Sequence, residues 1–181
     1  MLLSDTEIAA EARAGRLVID PPLTESDRRL QSASIDLGLH NVFWRPNVPT
    51  GTPGIEVRVA VAQVQAAQYA EQFEAEEVDL RPGEFLLGET QEALQIPRHL
   101  AAWIEGKSGR ARHGLIVHCT APHIAPGWGT PRPKRITLEL VNLGPVIVRL
   151  QARTSIAQLL LMGLSSPSLS LYRGTQATQG S

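Results

Sequence analysis

From residue 78 onward the chain is a series of short apolar runs, FLLGET, AAWIEG, GLIVH, RITLELVN, VIVRL and SIAQLLLM, with Pro, Gly or Asn in several of the gaps. Runs this short and this closely spaced predict strands, and a set of them predicts an all-β sandwich, barrel or jelly roll. RITLELVN shows the sidedness: Ile136, Leu138 and Leu140 fall on one face of a strand, and Thr137, Glu139 and Val141 on the other. ASIDLGL, residues 33–39, alternates in the same way, whereas residues 19–31 and 46–54 are rich in Pro and polar residues and read as loops.

Two segments depart from the β pattern. Residues 4–17 read as a short helix, because Ser4 and Glu7 have capping-box spacing and Gly15 offers a stop. Residues 60–77 are rich in Ala, Gln and Glu, so local propensity favours a second helix there. The 181 residues suit one domain over 1–181, and a hydrophobic content of 43% is enough to fill its core. The closing RGTQATQGS, residues 173–181, is small and polar and is expected to fray into a mobile tail.

With 17 basic and 18 acidic residues, net charge −1, the chain lacks the basic excess that nucleic-acid or membrane-surface binding would use, and neither partner is expected. Cys119 is the single cysteine, so an intrachain disulfide and a multi-cysteine zinc site are excluded. MLLSDTEIAA lacks a basic segment followed by a long apolar run, and no stretch approaches the roughly 18 apolar residues of a membrane span. The expected setting is the cytoplasm.

Three segments can carry chemistry. GKSGRARHG, residues 106–114, sets Ser108 among Lys107, Gly109, Arg110 and Arg112; a Gly-containing turn of this kind can hold phosphate through backbone N–H groups and basic side chains, or be a solvated basic turn. It lacks the G-x-x-x-x-G-K-S/T spacing of a nucleotide P-loop. TAPHIAPGWG, residues 120–129, is an irregular loop fixed by two prolines and two glycines, with His123 available to a ligand. Glu139, taken alone, reads as a solvated charge on the polar face of its strand. The five histidines show no H-x-x-x-H or H-E-x-x-H spacing, and zinc is not expected.

Taken in order, GKSGRARHGLIVHCTAPHIAPGWG and ITLELVN resemble the dCTP deaminase branch of the dUTPase-like family. LLSDTEI, GRLVIDP, ASIDLGL and PGEFLLGETQEALQIP fit the same branch, so the resemblance runs from about residue 1 to residue 172. It implies a distorted jelly-roll β-barrel and a homotrimer with active sites shared between subunits, each finished by a C-terminal tail. On that pattern Glu139 matches the catalytic glutamate, and Ser108 and Arg112 the serine and arginine near the reacting base and phosphates. Lys107, Gly109, Arg110, Ala121 and His123 fall in the matching nucleotide-binding segments, Thr137 and Leu138 beside the cytosine edge, and Tyr172 at the tail. Gln176 or Gln179 would replace the phosphate-binding glutamine, and Arg173 the lysine.

The implied reaction converts dCTP to dUTP and ammonia without zinc, since the P-C-x-x-C element of zinc deaminases is absent. Mg²⁺ would arrive with the substrate triphosphate. A single carboxylate whose pKa is raised by burial can shuttle the protons, and Glu139 is the only acid in the three segments. The alternatives are a dUTPase, a bifunctional enzyme that goes on to dUMP, and a degenerate member that binds without turnover.

Three departures accompany the resemblance. Ala125 stands where the family loop carries an aspartate before Pro-Gly. That aspartate helps hold the deoxyribose, and in the dUTPase branch it orients the attacking water, so Ala125 counts against dUTPase chemistry. The segment GTPRPKR, residues 129–135, is longer than the family hairpin and is expected at the edge of the pocket. The tail lacks the usual Lys-Tyr-x-x-Gln element.

Overall fold

The computed structural model describes residues 1–24, 26–47 and 70–170. Helix α1 (Asp5–Arg13) is followed by β1 (Val18–Asp20), β2 (Leu30–Gln31), the long β3 (Ser34–Pro46), β4 (Ala70–Glu74), β5 (Glu77–Leu80) and β6 (Phe85–Gln95). Then come β7 (Leu100–Gly106), a single helical turn α2 (Ser108–Ala111), β8 (Leu115–Ile116), β9 (His123–Ile124), β10 (Lys134–Asn142), β11 (Val148–Gln151) and β12 (Ser155–Gly163). The fold is mainly β, as the short apolar runs require.

Seven strands form one hydrogen-bonded path in the order β8-β10-β6-β3-β12-β7-β9, with β1, β2 and β4 attached along it, and β11 pairs with β5 in a separate ribbon. Residues 117–122 join β8 to β9, so one segment connects the two ends of the path and the curled sheet closes along this seam. Inside lies a core of Leu and Ile with Phe43 at its centre; Ile35, Leu37, Leu39, Leu86, Leu138, Leu140, Leu159 and Leu161 are fully buried.

Helix α1 begins where the Glu7 carboxylate accepts hydrogen bonds from the Ser4 N–H at 2.8 Å and the Ser4 hydroxyl at 3.0 Å. It ends before Gly15, whose φ of +67° is a conformation that side chains resist. The helix expected over 60–77 is corrected in part: residues 60–69 lie outside the described residues, but 70–74 form β4, paired along 42–46 of β3. Phe73 stacks on Phe43 at 5.7 Å between ring centroids, and this packing overrides the helical preference of the local sequence. The second described helix is α2, at the basic Ser108 segment.

Thr90 and Glu92 of β6 point inward among apolar neighbours and are fully or almost fully buried. The Glu92 carboxylate accepts from the Gly38 N–H at 2.9 Å and faces the Arg29 guanidinium at 3.5 Å, so its charge is compensated. Thr90 serves an irregularity of the ladder. Arg135 pairs with Ala93 and Thr137 with Glu89, so two steps on β10 span four on β6. The Ile136 N–H falls in this gap and donates to the Thr90 hydroxyl at 2.9 Å, which donates to the Glu92 carbonyl at 2.7 Å. Beyond the gap the register is regular, and it turns Glu139 to the outer face.

Candidate active site

Glu139 lies at the seam. On β10 it pairs with Leu87 of β6, and its own N–H donates to the Val117 carbonyl at 3.0 Å as a parallel bridge to His118 forms on the other side. The Cys119 thiol donates to the Glu139 carbonyl at 3.7 Å. The carboxylate is half-buried; burial raises its pKa above the usual glutamate range, and the neighbouring His118 offsets part of that rise. A carboxyl in this state can exchange protons nearer neutral pH than a solvated one. The reading of Glu139 as a merely solvated charge is therefore set aside.

On its other side His118 meets β7. Its Nε2 lies 3.5 Å from the Glu105 carboxylate, and its Nδ1 is buried without a hydrogen-bond partner among the described residues. The seam thus brings together Glu105 of β7, His118 of the connecting segment and Glu139 of β10. Neither Glu105 nor His118 stood out in the sequence: His118 lies within GKSGRARHGLIVHCTAPHIAPGWG and Glu105 just ahead of it, 13 positions apart, and no spacing rule couples the two.

The basic segment forms a helical turn. As α2 forms, the N–H groups of Arg110 and Ala111 donate to the Lys107 carbonyl at 2.8 and 2.9 Å, and that of Arg112 to the Ser108 carbonyl at 3.2 Å. These three N–H groups are thereby committed within the turn. Ser108, Gly109, Arg110 and Arg112 are exposed, and the side chains of Ser108 and Arg112 make no hydrogen bond or ion pair among the described residues. Lys107 instead pairs with Asp36 of β3. Gly114, at φ +88°, ends the segment; a Cβ there would stand 2.1 Å from the Gly144 nitrogen, so only glycine lets these two loops touch.

In the second loop, Ala121 is exposed and its N–H donates to the His118 carbonyl at 2.9 Å, which tightens the turn below His118. His123 is exposed on β9, its ring 5.7 Å from the Trp103 indole across the ladder to β7. Ala125 is partly buried, and its carbonyl accepts from the Trp128 N–H at 3.1 Å. Thr137 is exposed beside Glu89, whereas the Leu138 side chain is fully buried in the core, so only its backbone is available to a base. Tyr172, Arg173, Gln176 and Gln179 lie outside the described residues. Within the GTPRPKR segment, Lys134 and Arg135 pair near Leu94 and Ala93, whereas Glu139 pairs with Leu87. At about 3.3 Å per residue, Lys134 is roughly 16 Å along the strand from Glu139 within one chain.

Among the described residues no three of His, Cys, Asp and Glu converge as a metal-ligand set, and no helix is long and apolar enough to cross a membrane.

Comparison with known proteins agrees with this architecture. Residues 2–164 match the family model described as dCTP deaminase-like. The chain is 39% identical to the "dCTP deaminase, dUMP-forming" of Halobacterium salinarum, an alignment covering 93% of this chain and 83% of that protein. It is 39% identical to the protein of the same name from Mycolicibacterium gilvum, covering 97% and 87%. The crystal structure of 2'-deoxycytidine 5'-triphosphate deaminase from Agrobacterium tumefaciens superposes with a TM-score of 0.64 at 19% identity, over 88% of this chain. The chain spans only 47% of that longer protein, and the likeness speaks for the fold. With a family match over nearly the whole chain and relatives at 39% identity, the barrel with Glu139 at its seam belongs to the dCTP deaminase-like family.

Proposed function

We propose that this protein deaminates dCTP and carries the product on to dUMP. Water adds at C4 of the cytosine and ammonia leaves, giving the uracil nucleotide; a second water then releases pyrophosphate. The half-buried Glu139 carboxyl carries the reading. It would take a proton from the attacking water, deliver one to the ring nitrogen and assist the departure of ammonia. The sequence by itself led to release of dUTP, with the bifunctional route as an alternative. The dUMP-forming relatives move the preference to that alternative, and the second step would then proceed without the water-orienting aspartate that Ala125 replaces.

Ser108 would hold the water, and Arg112, with Lys107 and Arg110, would neutralise phosphate. Mg²⁺ would enter with the triphosphate. Because Ser108 and Arg112 are exposed and make no side-chain bond to Glu139 within the chain, the reading includes a homotrimer in which these groups act across a subunit interface. The protein would work in the cytoplasm, where its nucleotide substrate is found.

The test is dCTP turnover with ammonia and pyrophosphate read separately. Both products are expected in equal amounts. Ammonia alone would return the reading to a dUTP-releasing deaminase; pyrophosphate alone, from dUTP, would make it a dUTPase. Neither product would refute catalysis. Sedimentation at micromolar concentration checks the trimer, and a monomer would refute the shared site.

A further inference from the structure

We propose that His118 is a positioning residue whose charge, held by Glu105 across the seam of the barrel, controls the protonation state of Glu139. The proposal rests on the reading of Glu139 as the proton shuttle. Two observations carry it, and a third sets the cost that they must offset. His118 and Glu139 are neighbours in the bridge that closes the barrel, so the imidazole and the carboxyl sit in one partly desolvated place. The Glu105 carboxylate stands 3.5 Å from His118 Nε2. The opposite ring nitrogen, Nδ1, is buried and has no partner among the described residues, which opposes a charge on the ring, so the facing carboxylates are what sustain one.

Chemistry follows from that asymmetry. A carboxylate facing Nε2 favours the tautomer with its proton there, which leaves Nδ1 as a buried lone pair. When Nδ1 takes up a proton the ring becomes a cation between two acids. Glu105 compensates that cation from β7, and the cation in turn favours the ionised form of Glu139 on β10. The remaining titratable group beside it is the Cys119 thiol, whose pKa is raised by burial and by Glu139, so it stays neutral and adds no charge. Hydrolytic deamination needs Glu139 ionised when it meets water and protonated when it meets the ring nitrogen. A titrating neighbour that stabilises one of these forms sets the pH window in which the cycle runs.

The experiment is an NMR titration of the His118 imidazole in the full chain as wild type, Glu105→Gln and Glu139→Gln, with the resonance assigned by its loss in His118→Gln. Each amide keeps the shape of the acid it replaces and removes one negative neighbour. A negative charge facing the imidazole favours its charged form, and the amide removes that preference. The experiment therefore reads whether the His118 midpoint falls in each variant, as the proposal requires. A midpoint that stays in place in both overturns the proposal; if Glu105→Gln does not fold, Glu139→Gln decides alone.

The pH profile of kcat in His118→Gln gives an independent check, because the amide preserves a donor toward Glu105 but cannot become charged. Its acid limb is expected at higher pH than that of wild type. A uniform drop with an unmoved limb would mark a merely structural role and overturn the proposal. Failure of the wild type to convert dCTP would refute the functional reading instead, while the titration, which needs no turnover, still judges the coupling.

Discussion

Thr90→Val should destabilise the barrel and misplace Glu139 together. The substitution keeps the volume of a fully buried side chain and removes only the hydroxyl. That hydroxyl accepts from the Ile136 N–H at 2.9 Å and donates to the Glu92 carbonyl at 2.7 Å. A buried polar group left without its partner costs about 1–3 kcal/mol, so losing both bonds is expected to cost about 2–4 kcal/mol. For a chain of this size each kcal/mol lowers Tm by about 2–4 °C, which gives a fall of about 4–16 °C. Urea or thermal melts of wild type, Thr90→Val and Thr90→Ser measure it, and serine should recover most of the loss. The same hydroxyl holds the irregular step from which the register of Glu139 follows, and a one-residue slip would carry Glu139 into the core. Thr90→Val should therefore also lose more turnover than Thr90→Ser. A Thr90→Val protein as stable as wild type would refute the assignment of this hydroxyl as the support of the step.

Glu139→Gln should lower kcat by roughly 10²- to 10⁴-fold, because the amide keeps the shape but shuttles no proton, and near-normal turnover in the folded variant would remove Glu139 from its role. It should also be more stable than wild type at neutral pH: the folded-state pKa of Glu139 is raised, so its contribution is fully present below the unfolded value and is lost as pH rises through the folded one. Melts at acidic and neutral pH should show the gap between variant and wild type opening as pH rises. Arg112→Ala should weaken nucleotide binding by about 1.5–3 kcal/mol, roughly 10- to 150-fold, measured by calorimetry with dCTP; unchanged affinity would exclude Arg112 from the site. Ala125→Asp should improve kcat/KM for dCTP more than for CTP, by a factor of roughly 5 to 150, if a sugar contact is missing at this position. A wild type that already prefers dCTP strongly and is unchanged by the aspartate would mean that another residue reads the sugar.

The sequence by itself determined what depends on neighbours along the chain. Alternation in ITLEL placed Ile136, Leu138 and Leu140 in the core and Glu139 outside it, and Ser4, Glu7 and Gly15 bounded the first helix, because period and capping are local properties. The motif resemblance led to the family, the barrel and Glu139. The tertiary structure decided the rest. Residues 70–74 became a strand since Phe73 gains more by stacking on Phe43 than its segment gains from helical propensity. Strand register sets how far Lys134 and Arg135 stand from Glu139 along β10. Burial of Glu139 and its meeting with His118 and Glu105 required the sheet to curl until residues 117–122 joined its two ends. The pKa of a carboxylate is set by its surroundings, and those around Glu139 are assembled by contacts between strands far apart in the chain.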